Sequence, residues 1–260
     1  MTPRTPCVDL NADLGESFGA WTMGDDEALL AIVGRANVAC GFHAGDPLVM
    51  CRTVRRARER GVAIGAHPGF PDLQGFGRRR MDLEPEELQA LLIVQIGALA
   101  GVCRAEGARL AHVKPHGALN NMACADEALA RTVVQAVRAF DPALPLLAPA
   151  CSALERAALA LGQPVLREVF ADRAYQDDGQ LVPRREPGAV LHDPDEAVAH
   201  VLAMLQAGGL VTRGGRVLPT PIDSVCVHGD GPQAVQTARR LREALAQRGW
   251  LASAAGAVVA

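Results

Sequence analysis

One unit recurs along this chain and limits what it can fold into. A short strand-forming run ends in an ionisable side chain, and a helical segment follows. The clearest copy is Asn37-Val-Ala-Cys-Gly-Phe-His-Ala-Gly-Asp46. Read with period two, Asn37, Ala39, Gly41 and His43 share one face, and Val38, Cys40 and Phe42 share the other. The reading is a buried strand that delivers His43 and then Asp46 at its C-terminal end. In parallel α/β proteins that end is where chemistry sits.

The other copies vary the theme. Residues 7–14 set Asp9, Asn11 and Asp13 against Val8, Leu10, Ala12 and Leu14, then turn at Gly15-Glu16-Ser17. Residues 62–67 end in His67. Residues 110–116 place His112, Lys114 and His116 on one face, which is costly unless that face is wet or carries a site. Residues 144–149 are wholly apolar. Residues 165–170 bring Glu168 and lead into Asp172 and Arg173; residues 224–228 end in His228 and run into Asp230. Helical spacing, Pro at first turns and Gly at ends predict helices near 25–33, 47–60, 85–106, 127–140, 153–161, 194–207 and 232–248. Residues 117–121 read as an exit turn, 176–192 as an irregular excursion, and 208–215 as turns around a short hairpin. Gly69, Gly75 and Gly77 mark residues 68–81 as a loop able to approach a ligand.

Seven strands alternating with helices predict one parallel α/β barrel, an irregular (β/α)7-type barrel over residues 1–260. Six of the seven strand ends carry ionisable groups. Their convergence on one mouth predicts an enzyme. A length of 260 residues, 49% of them hydrophobic, is enough for such a core. A formal net charge of -3 argues against nucleic acid and anionic membrane as partners. No apolar run is read as approaching the roughly 18 residues of a membrane span. The opening residues MTPRTPCVDL lack an apolar signal region, so a cytoplasmic location is expected. Seven cysteines, an odd number with no CxxC, predict reduced and mostly buried thiols. Cys40 and Cys226 are read as core thiols, and His192 and His200 as surface residues.

Of the 26 basic residues all but Lys114 are arginine. In that background, the exception marks a position that needs a compact, rotatable ammonium.

The stretches DLNADLGESFG (9–19), NVACGFHAGDP (37–47), AHPGFPDLQGFGRR (66–79), VKPHGALNN (113–121), EVFADRAY (168–175) and CVHGDGPQA (226–234) resemble the LamB/YcsF family, the A subunit of 5-oxoprolinase. They span nearly the whole chain, in order. Asn120 departs from the tyrosine expected in the family. The resemblance implies a barrel of the glycoside hydrolase/deacetylase type. It also implies a hydrolase of a cyclic amide: 5-oxo-L-proline opens to L-glutamate at the expense of ATP, together with subunits B and C. An unreactive five-membered lactam makes coupling to ATP chemically sensible. The chain has no GxxxxGK[ST] phosphate loop, so the main nucleotide site is expected on the partner subunits.

For a lactam activated at its amide oxygen, water must be deprotonated, charge stabilised and the ring nitrogen protonated. Asp13 or Glu168 is the expected base, Lys114 the point charge, and His43, His67 or His228 the acid. Arg173 or Arg78 is expected to hold the substrate carboxylate. Asn11, Glu16, Asp46, His116, Asp172 and Asp230 complete the expected substrate-binding mouth. Lys114→Met is expected to abolish turnover and leave the fold intact. Two rivals remain open. One is a stand-alone metal-dependent deacetylase or amidohydrolase, with Asp13, His43, His67 and His228 around a divalent ion. The other is a non-catalytic lactam-binding scaffold.

Overall fold

The computed structural model describes residues 6–228 and 233–252. In chain order the elements are β1 (Asp9–Leu14), α1 (Asp26–Leu30), β2 (Arg35–Ala39), α2 (Pro47–Glu59), β3 (Ala63–His67), α3 (Pro85–Ala105), β4 (Leu110–Val113), α4 (Gly117–Ala125), α5 (Glu127–Phe140), β5 (Leu146–Pro149), α6 (Ala153–Ala160), β6 (Val165–Phe170), α7 (Pro194–Ala207), β7 (Gly209–Val211), β8 (Val217–Pro219), β9 (Ser224–Val227) and α8 (Ala234–Gln247). Seven strands close a parallel barrel in the order β1-β2-β3-β4-β5-β6-β9, with β9 returning to β1. The antiparallel pair β7-β8 is the expected hairpin. The fold is an α/β barrel with helices outside.

Register puts polar side chains in the lumen. Asp13 pairs with Asn37, Asn37 with Gly65, and Gly65 with His112. The imidazole of His112 occupies the space that a side chain at 65 would take, since a Cβ there would lie 2.1 Å from His112 Nε2. Pro115 follows β4 without breaking its edge. Val113 N–H bonds toward the β5 side, while Lys114 and His116 N–H groups bond to Ala66 and Pro68 on the β3 side. Alternate amides face opposite neighbours, so the missing donor at 115 falls where none is used on the β3 side.

Three expectations need correction. The second strand ends at Ala39, and His43 lies in a tight turn between Gly41 (φ 87°) and Gly45 (φ 76°), so alternation along a strand does not place it. Residues 117–125 form α4 and not an exit turn. Gly117 (φ 53°) lets the chain reverse beside the Gly77 carbonyl, and the apolar residues beyond it continue as helix. Helix α3 has 21 residues with a window of mean hydropathy 1.7, long and apolar enough by composition to cross a membrane. In the fold it lies against α2 and α5 over β3 and β4, and Leu88, Leu92, Ile96 and Leu99 are buried there.

All seven cysteines are free thiols. Cys40, Cys103, Cys124 and Cys226 are buried, and burial pushes the first three thiols up to about 12. Core thiols in place of nucleophiles are the consequence.

Candidate active site

The mouth of the barrel at the C-terminal ends of the strands opens into a cavity of about 410 Å³. Asp13, Glu16, His67, Arg78, Lys114, His116, Arg173 and His228 all line it. Eight of the side chains singled out in the sequence therefore meet at one surface.

Lys114 is the centre. Its ammonium is 2% exposed and lies 3.0 Å from Asp13 Oδ1, 3.2 Å from Glu168 Oε2, 3.3 Å from Asn11 Oδ1 and 3.1 Å from Cys226 Sγ. Burial alone would lower its pKa, but Asp13, Cys226 and Glu168 together hold it well above the ordinary lysine value. The ammonium is thus a permanent charge near neutral pH. The sequence expectation that Lys114→Met leaves the fold untouched needs revision. Without the ammonium the buried Glu168 and the partly buried Asp13 lose the cation between them, and breaking such a pair costs about 3–5 kcal/mol.

The two carboxylates differ. Burial works to raise Asp13, but His67 and Lys114 outweigh it and hold Asp13 well below the usual carboxylate range. Asn37 adds a 2.9 Å hydrogen bond to Asp13 Oδ1. Glu168 is fully buried, does not line the cavity, and is raised by that burial in spite of Lys114. Of the two candidate bases, Asp13 is the one held low that also meets the cavity. Glu168 meets the Lys114 ammonium from beneath the cavity, with Oε2 3.2 Å away.

Beside Asp13 stand three histidines. His67 Nδ1 lies 2.7 Å from the Lys114 carbonyl, and His116 Nε2 lies 2.8 Å from the Phe76 carbonyl. His116 Nδ1 is 3.0 Å from His67 Nε2 and 3.6 Å from Glu16 Oε1. His43 stacks on His116 with centroids 3.7 Å apart and has a ring nitrogen 3.5 Å from Glu16 Oε1. It is 1% exposed, behind the cavity wall. Burial pushes His116 down to about 3 and His43 well below the ordinary value. His43 therefore suits an acid role poorly. Gly77 (φ 62°) is required here, because a Cβ would sit 2.8 Å from both His116 Cδ2 and His43 Cβ.

On the other wall His228 Nδ1 meets Asp172 at 2.7 and 2.9 Å, and the ring stacks on Phe170. Burial would raise Asp172, but His228 and hydrogen bonding bring it below the usual range. Arg173 spends Nε and Nη2 on the Ala189 and Val182 carbonyls, which ties down the loop that roofs the cavity. Burial brings it down to about 10. Arg78 is exposed, lies over the Phe76 ring at 4.9 Å and lines the cavity.

Other expected residues fall elsewhere. Asp46 caps α2 through the Leu48 and Val49 amides and also binds the Gly19 amide at 2.8 Å; it is absent from the cavity lining. Asn11 lies beneath the cavity, held to Ser224 and Lys114. Asp230 lies outside the described residues. His192 is exposed as expected, whereas His200 is partly buried and meets the Arg173 carbonyl at 3.1 Å. The four residues read as one possible metal set are divided. Among the described residues Glu16, His43, His67 and His116 form one group, and Asp13, Cys226 and His228 another. In the second group, Asp13 and Cys226 already hold the Lys114 ammonium.

Sequence reasoning assigned no role to Asn37, Gln95 or Gln180. Asn37 bridges Asn11 and Asp13 and accepts from His112 Nε2–H at 2.7 Å. Its place on the face of the second strand was the available signal. Gln95, buried on α3, grips both polar groups of the Gly69 peptide. Gln180 lines the cavity and reaches the Cys124 carbonyl at 3.0 Å.

The model of the LamB/YcsF family matches residues 8–259. The chain belongs to the LamB/YcsF family. Two relatives of this LamB/YcsF chain are named as the A subunit of 5-oxoprolinase. One, from Azoarcus sp. (strain BH72), is 63% identical over 243 residues, 94% of this chain and 95% of that protein. The other, from Methylococcus capsulatus, is 57% identical over 256 residues, 95% of this chain and 98% of that protein. Among solved structures, a lactam utilization protein from Thermus thermophilus superposes with a TM-score of 0.88 at 48% identity, covering 95% of this chain and 98% of the other.

Proposed function

We propose that this LamB/YcsF chain is the ring-opening subunit of an ATP-dependent 5-oxoprolinase, which converts 5-oxo-L-proline to L-glutamate together with subunits B and C. The names of its relatives support the lactam. The single ammonium held between Asp13 and Glu168, at a cavity walled by histidines, carries the chemistry.

A lactam carbonyl is a poor electrophile, so the partners use ATP to place a phosphoryl group on the amide oxygen. This chain has no phosphate loop of its own and receives the activated ring. Lys114 offers its compact charge to the phosphoryl and carbonyl oxygens. Asp13, ionised and facing the cavity, takes a proton from the attacking water. The new C–O bond forms, the C–N bond breaks, and the nitrogen takes a proton from His228, whose Nδ1 is held by Asp172. A second water releases phosphate from the resulting acyl phosphate. Arg78 holds the substrate carboxylate from the rim.

Glutamate release from 5-oxoproline tests this. The chain alone, and the chain with B and C, are assayed with and without ATP. Product only with partners and ATP is the expected result. Product from the chain alone without ATP indicates a self-sufficient hydrolase. No product in any combination, with active partners verified, indicates a binding role or another substrate.

A further inference from the structure

The tautomers of two histidines are fixed by groups that can only accept. The Lys114 carbonyl lies 2.7 Å from His67 Nδ1, so that nitrogen carries the hydrogen. The Phe76 carbonyl lies 2.8 Å from His116 Nε2, so that nitrogen carries the hydrogen. That leaves His67 Nε2 and His116 Nδ1 as the ring nitrogens turned toward a ligand. They face each other at 3.0 Å. Glu16 Oε1 is 3.6 Å from His116 Nδ1. Asp13 Oδ2 is 3.5 Å from His67 Nε2. Ligand atoms of two imidazoles and a carboxylate thus converge on one point, the arrangement that a metal ion takes up.

We propose that Glu16, His67 and His116 bind a divalent transition-metal ion, through Oε1, Nε2 and Nδ1. Metal–nitrogen and metal–oxygen bonds of about 2.0–2.2 Å place neighbouring ligands about 3.3–3.6 Å apart around a tetrahedral centre. The spacings of 3.0 and 3.6 Å bracket that range closely enough for small side-chain shifts to close it. Metal-binding histidines commonly give their other N–H to a backbone carbonyl, as both do here. Two imidazoles and one carboxylate suit zinc or iron(II) better than magnesium or calcium.

A separate observation points to the same place. His43 is 1% exposed, and neither ring nitrogen has a hydrogen-bond partner. One of them lies 3.5 Å from Glu16 Oε1. A buried unpartnered N–H is costly unless something polar completes it. A ligand atom of His43 lies within 4.8 Å of those of Glu16, His67 and His116, so it belongs to the same cluster. Glu16, His67 and His116 all line the cavity, so an ion held by them would be open to it. The cation site rests on the tautomers and stands whatever the substrate is.

The chain is stripped with a chelator and titrated with zinc(II) and cobalt(II) by calorimetry, with metal content measured by mass spectrometry after desalting. The expected result is one ion per chain and a visible cobalt spectrum. Affinity falls at least tenfold in His67→Ala and in His116→Ala, and is unchanged in His228→Ala, which removes a member of the other group. Imidazole nitrogen NMR of the unsubstituted chain needs no variant. Zinc should shift His67 Nε2 and His116 Nδ1 while His67 Nδ1 and His116 Nε2 remain protonated. Failure to bind either ion, or binding unaffected at those two nitrogens, would overturn the proposal and leave a shared proton between the rings. Neither readout depends on glutamate release.

Discussion

The two histidine-bearing walls of the cavity differ in what holds the second ring nitrogen. On the β3–β4 wall, backbone carbonyls take one N–H each from His67 and His116, and the second ring nitrogens turn toward each other and Glu16. On the β6–β9 wall, the Asp172 carboxylate lies 2.7 Å from Nδ1 of His228 and orients the ring. A carbonyl fixes a tautomer; a carboxylate also stabilises the imidazolium. Under the two proposals above, the same residue type is a ligand on one side and an acid on the other, with Lys114 between them.

The largest effect expected from breaking this arrangement comes from Lys114→Met. Turnover should fall below detection, and urea denaturation should show a loss of about 3–5 kcal/mol as Asp13 and Glu168 lose their shared cation. Lys114→Arg separates the two effects. It keeps a charge for folding but replaces a compact ammonium with a planar fork, so partial recovery of stability without recovery of turnover is expected. Full turnover in either variant would remove Lys114 from the chemistry.

Asp172→Asn addresses the second wall alone. It keeps the shape of the His228 partner and removes the charge, so kcat should fall by about 10²- to 10⁴-fold with a displaced pH profile. Zinc binding at the first wall should be unchanged. An unaltered pH profile would mean that His228 is not the proton donor.

Acid titration of the metal-free chain reads the first wall. His43 and His116 are kept neutral in the fold, with His116 at about 3, while the unfolded chain takes up protons below about pH 6.5. Stability should therefore be level above that pH and fall as pH drops from about 6.5 toward 3, by roughly 1.4 kcal/mol per pH unit for each such ring. Asp13 adds to the loss at still lower pH, because its depressed value gives stability that is present above the ordinary carboxylate range and disappears as it is protonated. At the alkaline end Lys114 acts in the opposite sense. Its raised value gives stability that is intact below the ordinary lysine pKa and lost as pH rises beyond it. Denaturant midpoints across the pH range check all three.

Period-two alternation and the succession of strands and helices were enough to read the barrel and to gather Asp13, Lys114, His116, Glu168 and His228 at one end of it. Those side chains sit on strands or one to three residues beyond them, where periodicity still carries direction. His43 sits in a turn between positive-φ glycines, so no period places it. Glu168 and Asp13 looked equivalent, because burial, which separates them, depends on neighbours from other strands. The grip of Gln95 on Gly69 was invisible for a similar reason: a glutamine in a long apolar helix has no local signature of the loop it will meet. Arg173 read as a substrate clamp until its two loop carbonyls were located.

Asp46 gives the smallest effect and the cleanest division between a site residue and a frame residue. It follows His43 and Gly45 in the stretch that read as the richest functional segment, yet its carboxylate serves the amides of Leu48, Val49 and Gly19. Backbone hydrogen bonds from Gly19 and Val49 hold it below the usual carboxylate range, in keeping with a capping charge. Asp46→Ala should cost about 1 kcal/mol of stability, the usual range for losing an N-cap. Asp46→Asn or Asp46→Ser should restore most of it, since both still accept from the helix amides. kcat/KM at saturating partner concentrations should stay within about twofold of the original, because about 1.4 kcal/mol would be needed for a tenfold change and no cavity contact is removed. A loss of turnover in Asp46→Ala that Asp46→Ser fails to restore would show that the charge itself acts on the site, through the turn that carries His43.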